Sequence, residues 1–386
     1  MTGLNNNHHQ PTHQHPIAQH GDTISFKTTT TSDTEPNRPN PSEDRRHKKR
    51  GKPAKDGPHI RSEAGAGAGD LLVQCSAVGR VFPNLGQRQA FFSSSTSALP
   101  SAAPTRNNKI SSMARMPTYF FSHGGPDVQY NKAHPVFPVL QKIGREITSL
   151  KPKAVVVFSG HWQSTPINVN NVLLTDLIYD FYGFPRYFYE ATYPSIGSPE
   201  LASKVLFLLS DAGIEAEGVK RGLDHGVWSG FNVAFDPESN PLDCPVVQVS
   251  LFNNEDPVAH YELGRAVSSL RDEGVVIIGA GMSVHNLRDM RFSMGSSRPM
   301  PYSVSFDNAL RDAALADPRE REAKMAALTE RPDAKQAHPW MDHLMPVHVA
   351  AGAAEEEKGY QVWTHHEGSF AWAQYRFGEV SEELEA

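Results

Sequence analysis

From Pro117 onward the chain sets six short apolar runs between amphipathic stretches: TYFFS, KAVVVFS, INVNNVLL, CPVVQVSLF, GVVIIGAG and YQVWTH. Runs this short and this rich in Val, Ile and Phe read as strands, and strands apolar on both faces must be covered on both. The stretches between them carry helix punctuation. GSPELASKVLFLLSDAG offers Ser198 as N-cap, Pro199 in the first turn and Gly213 as the stop, and EDPVAHYELGRAVSSLRDEG repeats the device with Asp256, Pro257 and Gly274. This alternation predicts an α/β fold: a single catalytic domain over residues 117–380 with a largely parallel central sheet flanked by helices. No internal repeat is visible.

The first 115 residues read differently. They are dominated by His, Asn, Pro, Ser, Thr and Gly, contain the basic run EDRRHKKRGKPAK, and show neither helical nor strand periodicity. Such a segment buries too little apolar area to offset its chain entropy, so a disordered tail is expected over 1–115. From Leu71 to Arg115 it has no acidic residue and carries Arg80, Arg88, Arg106 and Arg115 among Ser and Ala, a transit-like composition that starts far from Met1. Met113 and Met116 stand just before the first strand, so translation beginning there is an alternative. A net charge of -6 argues against a nucleic-acid platform, and no apolar run approaches a membrane span. Two cysteines, Cys75 and Cys244, supply neither a disulfide framework nor a metal knuckle. The expectation is a cytoplasmic protein, with a mitochondrial location as the alternative.

In open α/β sheets ligands sit at the carboxyl ends of the strands. His123 follows TYFFS, His161 follows KAVVVFSG and His285 follows VVIIGAGMSV, so three imidazoles are expected to converge there. Imidazole binds transition metals and titrates near neutral pH. Glycines flank these positions in SHGGP, SGHW and GAGMSVHNLR, and His225 in LDHGVW shares the pattern, with Asp224 placed to orient it. A lone histidine is more often a hydrogen-bonded structural residue; four in glycine-flanked loops point to a site. His134 and His260 are read as helical or pre-helical surface residues. His365 and His366 are read as a partly exposed pair, and His348, five residues after His343, as packing. The histidines at 8, 9, 13, 15 and 20 form a tail tract suited to adventitious metal binding.

SHGGP, SGHW, DHGVW, GAGMSVHNLR and AHPWMDHLMPVHVAAGAA occur in this order. Together they resemble the 4,5-DOPA extradiol dioxygenase group of the class III (LigB-type) extradiol ring-cleavage dioxygenases, over Pro117 to about Gly378. The resemblance implies a LigB-like fold and one divalent metal ion held by His123, His161 and His343. It implies His285 as catalytic acid/base, with His225 as the second candidate for proton transfer or substrate hydrogen bonding, and His338 near the site. Other class III enzymes complete the triad with a carboxylate; here the third position is His343, beside Asp342. Three imidazoles suit Zn(II) as well as Fe(II), whereas chemistry with O2 calls for Fe(II).

The implied reaction opens the ring of a catechol with O2. Trp162, Phe181, Tyr182, Phe184 and Trp228 are candidates to pack on the substrate ring, with YDFYGFP as its wall. Arg186 and Arg288 are candidates to pair a substrate carboxylate through two parallel hydrogen bonds, which points to DOPA or a caffeate-like acid. For either arginine the alternative is a surface ion pair. Two rival readings are a zinc hydrolase using the same histidines and a non-catalytic binding protein of the Memo type.

Overall fold

A computed structural model of the chain describes residues 115–293 and 298–380. The expected disordered tail and its histidine tract therefore lie outside the described residues, apart from Arg115. The strands, in chain order, are β1 (Thr118–Ser122), β2 (Ala154–Ser164), β3 (Ile167–Asn170), β4 (Ala216–Val219), β5 (Val246–Phe252), β6 (Val275–Gly281), β7 (Val284–His285), β8 (Gly359–Trp363), β9 (His366–Glu367), β10 (Phe370–Ala371) and β11 (Gln374–Phe377). The helices are α1 (Val136–Ser149), α2 (Pro199–Asp211), α3 (His225–Ala234), α4 (Pro257–Ala266), α5 (Leu287–Ser293), α6 (Pro301–Ala314), α7 (Pro318–Ala326), α8 (Ala334–Ala337) and α9 (Met345–Ala353).

Eight strands form one sheet in the order β4-β3-β5-β2-β6-β1-β11-β8, and β7, β10 and β9 form a small second one. The centre, β5-β2-β6-β1, is parallel throughout, while β11 and β8 add antiparallel pairings and β3 meets β5 antiparallel. The sheet is therefore largely parallel, as expected. Alternating side chains leave each strand in two cores. Tyr119, Phe121, Val155, Val157, Val276 and Ile278 pack with α1 and α3 on one face; Phe120, Val156, Phe158 and Ile277 pack with α2, α4, α6 and α9 on the other. Each such side chain contributes about 1.5–3 kcal/mol by leaving water.

The helix signals act as read. Ser198 accepts a hydrogen bond from Leu201 N–H, and Asp256 accepts from Val258 and Ala259 N–H. The second helix is nonetheless shorter than expected, ending at Ala266 and continuing as a 3-10 segment over Ser268–Glu273. Arg271 in that segment is fully buried, and its guanidinium reaches the carbonyls of Met116 and Ala353 and the carboxylate of Glu357, a set of acceptors that anchors the segment apart from the α-helical path. INVNNVLL likewise yields a strand only to Asn170, with Leu173 and Leu174 exposed.

The largest departure is in β2. Phe158 pairs with Val249 and Gln163 with Leu251, so Ser159, Gly160, His161 and Trp162 oppose the single residue Ser250. His161 thus sits in a bulge inside a longer strand rather than after its end. Bulges re-aim side chains, and they recur beside active sites.

Candidate metal centre

Four elements deliver imidazoles to one place: the end of β1 (His123), the bulge of β2 (His161), the first turn of α3 (His225) and the turn before α9 (His343). Ring centroids are 5.3 Å apart for His123 and His161, 5.5 Å for His123 and His343, 4.7 Å for His161 and His343, and 4.1 Å for His161 and His225. His285, on β7, stacks on His343 at 3.8 Å with the rings 18° from parallel. The turn that carries His343 lies directly on β6. The His343 carbonyl accepts from Met282 N–H at 2.9 Å, and a Cβ on Gly281 would stand 2.2 Å from that oxygen. Only glycine lets the two backbones come this close.

The ring nitrogens decide what the group can hold. His123 Nδ1–H donates to the Gly124 carbonyl at 2.6 Å, leaving Nε2 buried with no partner. His161 Nδ1 lies 3.1 Å from Asp180 Oδ2. His343 Nδ1 lies 3.0 Å from Asp342 Oδ1 but off the line of a hydrogen bond, and its Nε2 is 3.1 Å from Nε2 of His161. Candidate ligand atoms on His123, His161 and His343 all fall within 4.8 Å of one another. Metal–imidazole bonds of about 2.0–2.1 Å place tetrahedral nitrogens about 3.4 Å apart. The donor set fits a divalent ion after small side-chain movements.

Electrostatics favour neutral donors. Burial, and then the surrounding imidazoles, push His123 and His343 well below the usual histidine range, and burial followed by His343 does the same to His285. Burial also lowers His225 despite its contact with Asp180. His161 differs: burial opposes its charge, but Asp180, Asp224 and Asp342 outweigh that and raise its pKa. Asp180 is opposed by burial too, yet its contacts with His161 and His225 hold it far below the usual carboxylate range.

Other expected residues are placed as follows. His225 Nδ1 lies 2.7 Å from Asp180 Oδ1, so Asp180, and not Asp224, is its partner. Asp224 is fully buried and holds Ser159, Gln248 and Arg221 instead. In sequence Asp180 stands between Tyr179 and Phe181 in the aromatic run YDFYGFP, with no local signal that ties it to a histidine. Phe181 meets His225 edge-on at 5.4 Å, and Phe184 packs one ring further out, on Phe181 and Phe188. Trp162 is buried with the Arg221 guanidinium 4.2 Å above its ring and makes no ring contact with the histidines. Arg186 is not brought to the site: its side chain is 91% exposed and pairs with Glu190 at 2.7 Å. Arg288 is exposed and lies 4.4 Å over Trp340, between the segments of His285 and His343. His338 is buried and donates to the Ser283 carbonyl, and His348 is buried with Nε2 3.1 Å from the Met325 carbonyl and Nδ1 3.3 Å from that of Leu344, one of which takes its single N–H. His260 is buried rather than on the surface, because α4 turns that face toward the core beside Phe252.

What this sheet and its histidines define is a class, the aromatic ring-opening dioxygenases; the family described as their catalytic LigB subunit matches residues 112–378. The chain belongs to that family and is an extradiol ring-cleavage dioxygenase, a metal-dependent oxidoreductase acting on a small molecule and O2. It is 38% identical over 264 residues to a 4,5-DOPA dioxygenase extradiol of Beta vulgaris, covering 67% of this chain and 96% of that relative. To a protein of the same name from Escherichia coli it is 31% identical, covering 65% and 89%. The crystal structure of an uncharacterized protein from Escherichia coli K12 superposes with a TM-score of 0.55 at 27% identity, covering 68% of this chain and all of that one. These likenesses do not favour the hydrolase or non-catalytic readings. Among the described residues no helix is long and apolar enough to cross a membrane.

Proposed function

We propose that the chain opens the ring of a catechol bearing a carboxylate side chain, L-DOPA or a caffeate-like acid, beside its two hydroxyls. The observation that carries this reading is the buried, unpartnered Nε2 of His123 facing His161 and His343, whose own Nε2 atoms stand 3.1 Å apart. His123, His161 and His343 are the ligands of one divalent ion. When bound, Fe(II) supplies the Lewis acidity and electron transfer that let O2 react with an aromatic ring, whereas Zn(II) would fit the same donors without that redox chemistry.

His285 is the acid/base. Burial keeps its imidazole neutral, it has no hydrogen-bond partner among the described residues, and its stacking on His343 puts it beside the ligand set. It takes a proton from a catechol hydroxyl and returns one to the ring-opened product. His225 assists: with Nδ1 on Asp180, its Nε2 remains for a substrate hydroxyl. Phe181 and Phe184 pack against the substrate ring. Arg288, held on Trp340, reads the substrate carboxylate, and Arg186 takes the surface role instead.

Residues 117–380 form the catalytic unit in this reading, so a chain starting at Met113 should keep metal and activity. Protein purified without oxygen should contain Fe(II) and convert L-DOPA or caffeate aerobically to a yellow ring-opened product. Absence of ring cleavage in iron-loaded protein with every catechol tried would overturn the proposal.

A further inference from the structure

Asp180 lies between β3 and α2, with its side chain 24% exposed, and its two oxygens are divided between two rings of the histidine group. Oδ1 lies 2.7 Å from Nδ1 of His225 and accepts from the backbone N–H of the same residue at 3.1 Å, while Oδ2 lies 3.1 Å from Nδ1 of His161. We infer that Asp180 is a positioning residue that sets the tautomer and orientation of His161 and His225 together. The inference rests on the ligand assignment proposed above.

The argument is one of donors and acceptors. A carboxylate only accepts, and a neutral imidazole carries one N–H, so each ring facing Asp180 must hold its proton on Nδ1 and keep its lone pair on Nε2. For His161 that lone pair is the one directed at His343 Nε2, where a metal ligand is needed. For His225 it leaves an acceptor beside the ligand set, 4.1 Å from the His161 ring. The neighbouring carboxylates are committed elsewhere: Asp224 to Ser159, Gln248 and Arg221, and Asp342 to the backbone N–H of His343. Carboxylates behind ligand histidines typically govern metal affinity by 10- to 100-fold. An amide in the same place has one accepting and one donating end. Asp180→Asn would therefore satisfy one Nδ1–H and confront the other with a donor, forcing that ring to turn or to move its proton to Nε2.

The test compares wild type, Asp180→Asn, His161→Ala and His225→Ala, with thermal unfolding as the control for folding. Zn(II) affinity is measured by competition with a chromophoric chelator, and ring tautomers by nitrogen-15 NMR of the histidines in the zinc-loaded protein. Asp180→Asn should weaken Zn(II) binding 10- to 100-fold and shift at least one of the two rings from the Nδ1–H to the Nε2–H form. Combined with His225→Ala at saturating Fe(II), it should lower kcat by much less than it does alone. Wild-type affinity and unchanged tautomers in Asp180→Asn, with the metal lost in His161→Ala, would overturn the inference alone. If His161→Ala itself keeps the metal, the ligand assignment fails and takes this inference with it.

Discussion

Among the described residues two groups of histidines have carboxylates beside them. In the candidate metal centre, His123 leaves Nε2 buried without a protein partner, and His161 and His343 turn Nε2 toward each other. In the group beside β9, His134 uses both nitrogens: Nδ1 accepts from Val136 N–H at 3.2 Å and Nε2 donates to Glu367 at 3.0 Å. His366 similarly meets Asp307 at 3.0 Å. The difference lies in where the second nitrogen goes. A histidine with both nitrogens occupied by its own chain is complete as a structural residue, whereas ring nitrogens converging out of water form a donor set suited to a cation.

The sharpest way to break this contrast is to remove rings from each group in turn. His123→Ala, His161→Ala and His343→Ala should each abolish stoichiometric metal binding and reduce activity to background, read by metal analysis and a ring-cleavage assay; His134→Ala should keep both. Metal loss in His134→Ala would erase the distinction. Next in size is His285→Ala, which should retain the metal and lose about 10²- to 10⁴-fold in kcat. Should it empty the site while His343→Ala stays loaded, the two residues have exchanged roles.

Smaller effects sharpen the contrast at the rim. Charge-assisted hydrogen bonds contribute about 1.5–3 kcal/mol, so Arg288→Met should cut kcat/KM for L-DOPA about 10- to 100-fold while sparing 4-methylcatechol. Arg186→Met should change neither substrate, and equal behaviour of the two variants would remove the carboxylate from the recognition scheme. Smallest is the stability cost of His134→Ala, at most about 1 kcal/mol by urea unfolding, because its partner Glu367 is 48% exposed.

How much of this was legible in the sequence depended on how local each cause was. The central strands and the helix starts were, because Ser198 and Asp256 cap through their own next residues; Gly213 stops α2 with φ of 75°, whereas Gly274, with φ of 91°, closes the 3-10 segment beyond α4. The convergence of His123, His161 and His285 was legible from the apolar runs that precede them, although His161 reaches it from a bulge within β2 and His285 from β7. The pairing of Asp180 with His225 did not, since 45 residues separate them and Asp224 is the nearer acid in sequence. Nor did Trp162's burial under Arg221, which depends on a segment 59 residues away in the chain. Arg186 was open to two readings because its Glu190 partner is one helical turn away while its neighbours are aromatic.

The bulge in β2 has a consequence for how such a chain can diverge. From Val155 to Phe158 every residue is matched on both sides by β5 and β6, and hydrophobic exchanges that conserve volume at such positions cost less than about 1.5 kcal/mol, so the letters there can drift within that limit. From Ser159 to Trp162 the relevant quantity is length. Deleting one residue before His161 would move it one step along a strand whose side chains alternate, and the imidazole would turn to the opposite face. Descendants of this chain can vary the first half of β2 by substitution, but they can change the second half by insertion or deletion only at the expense of its chemistry.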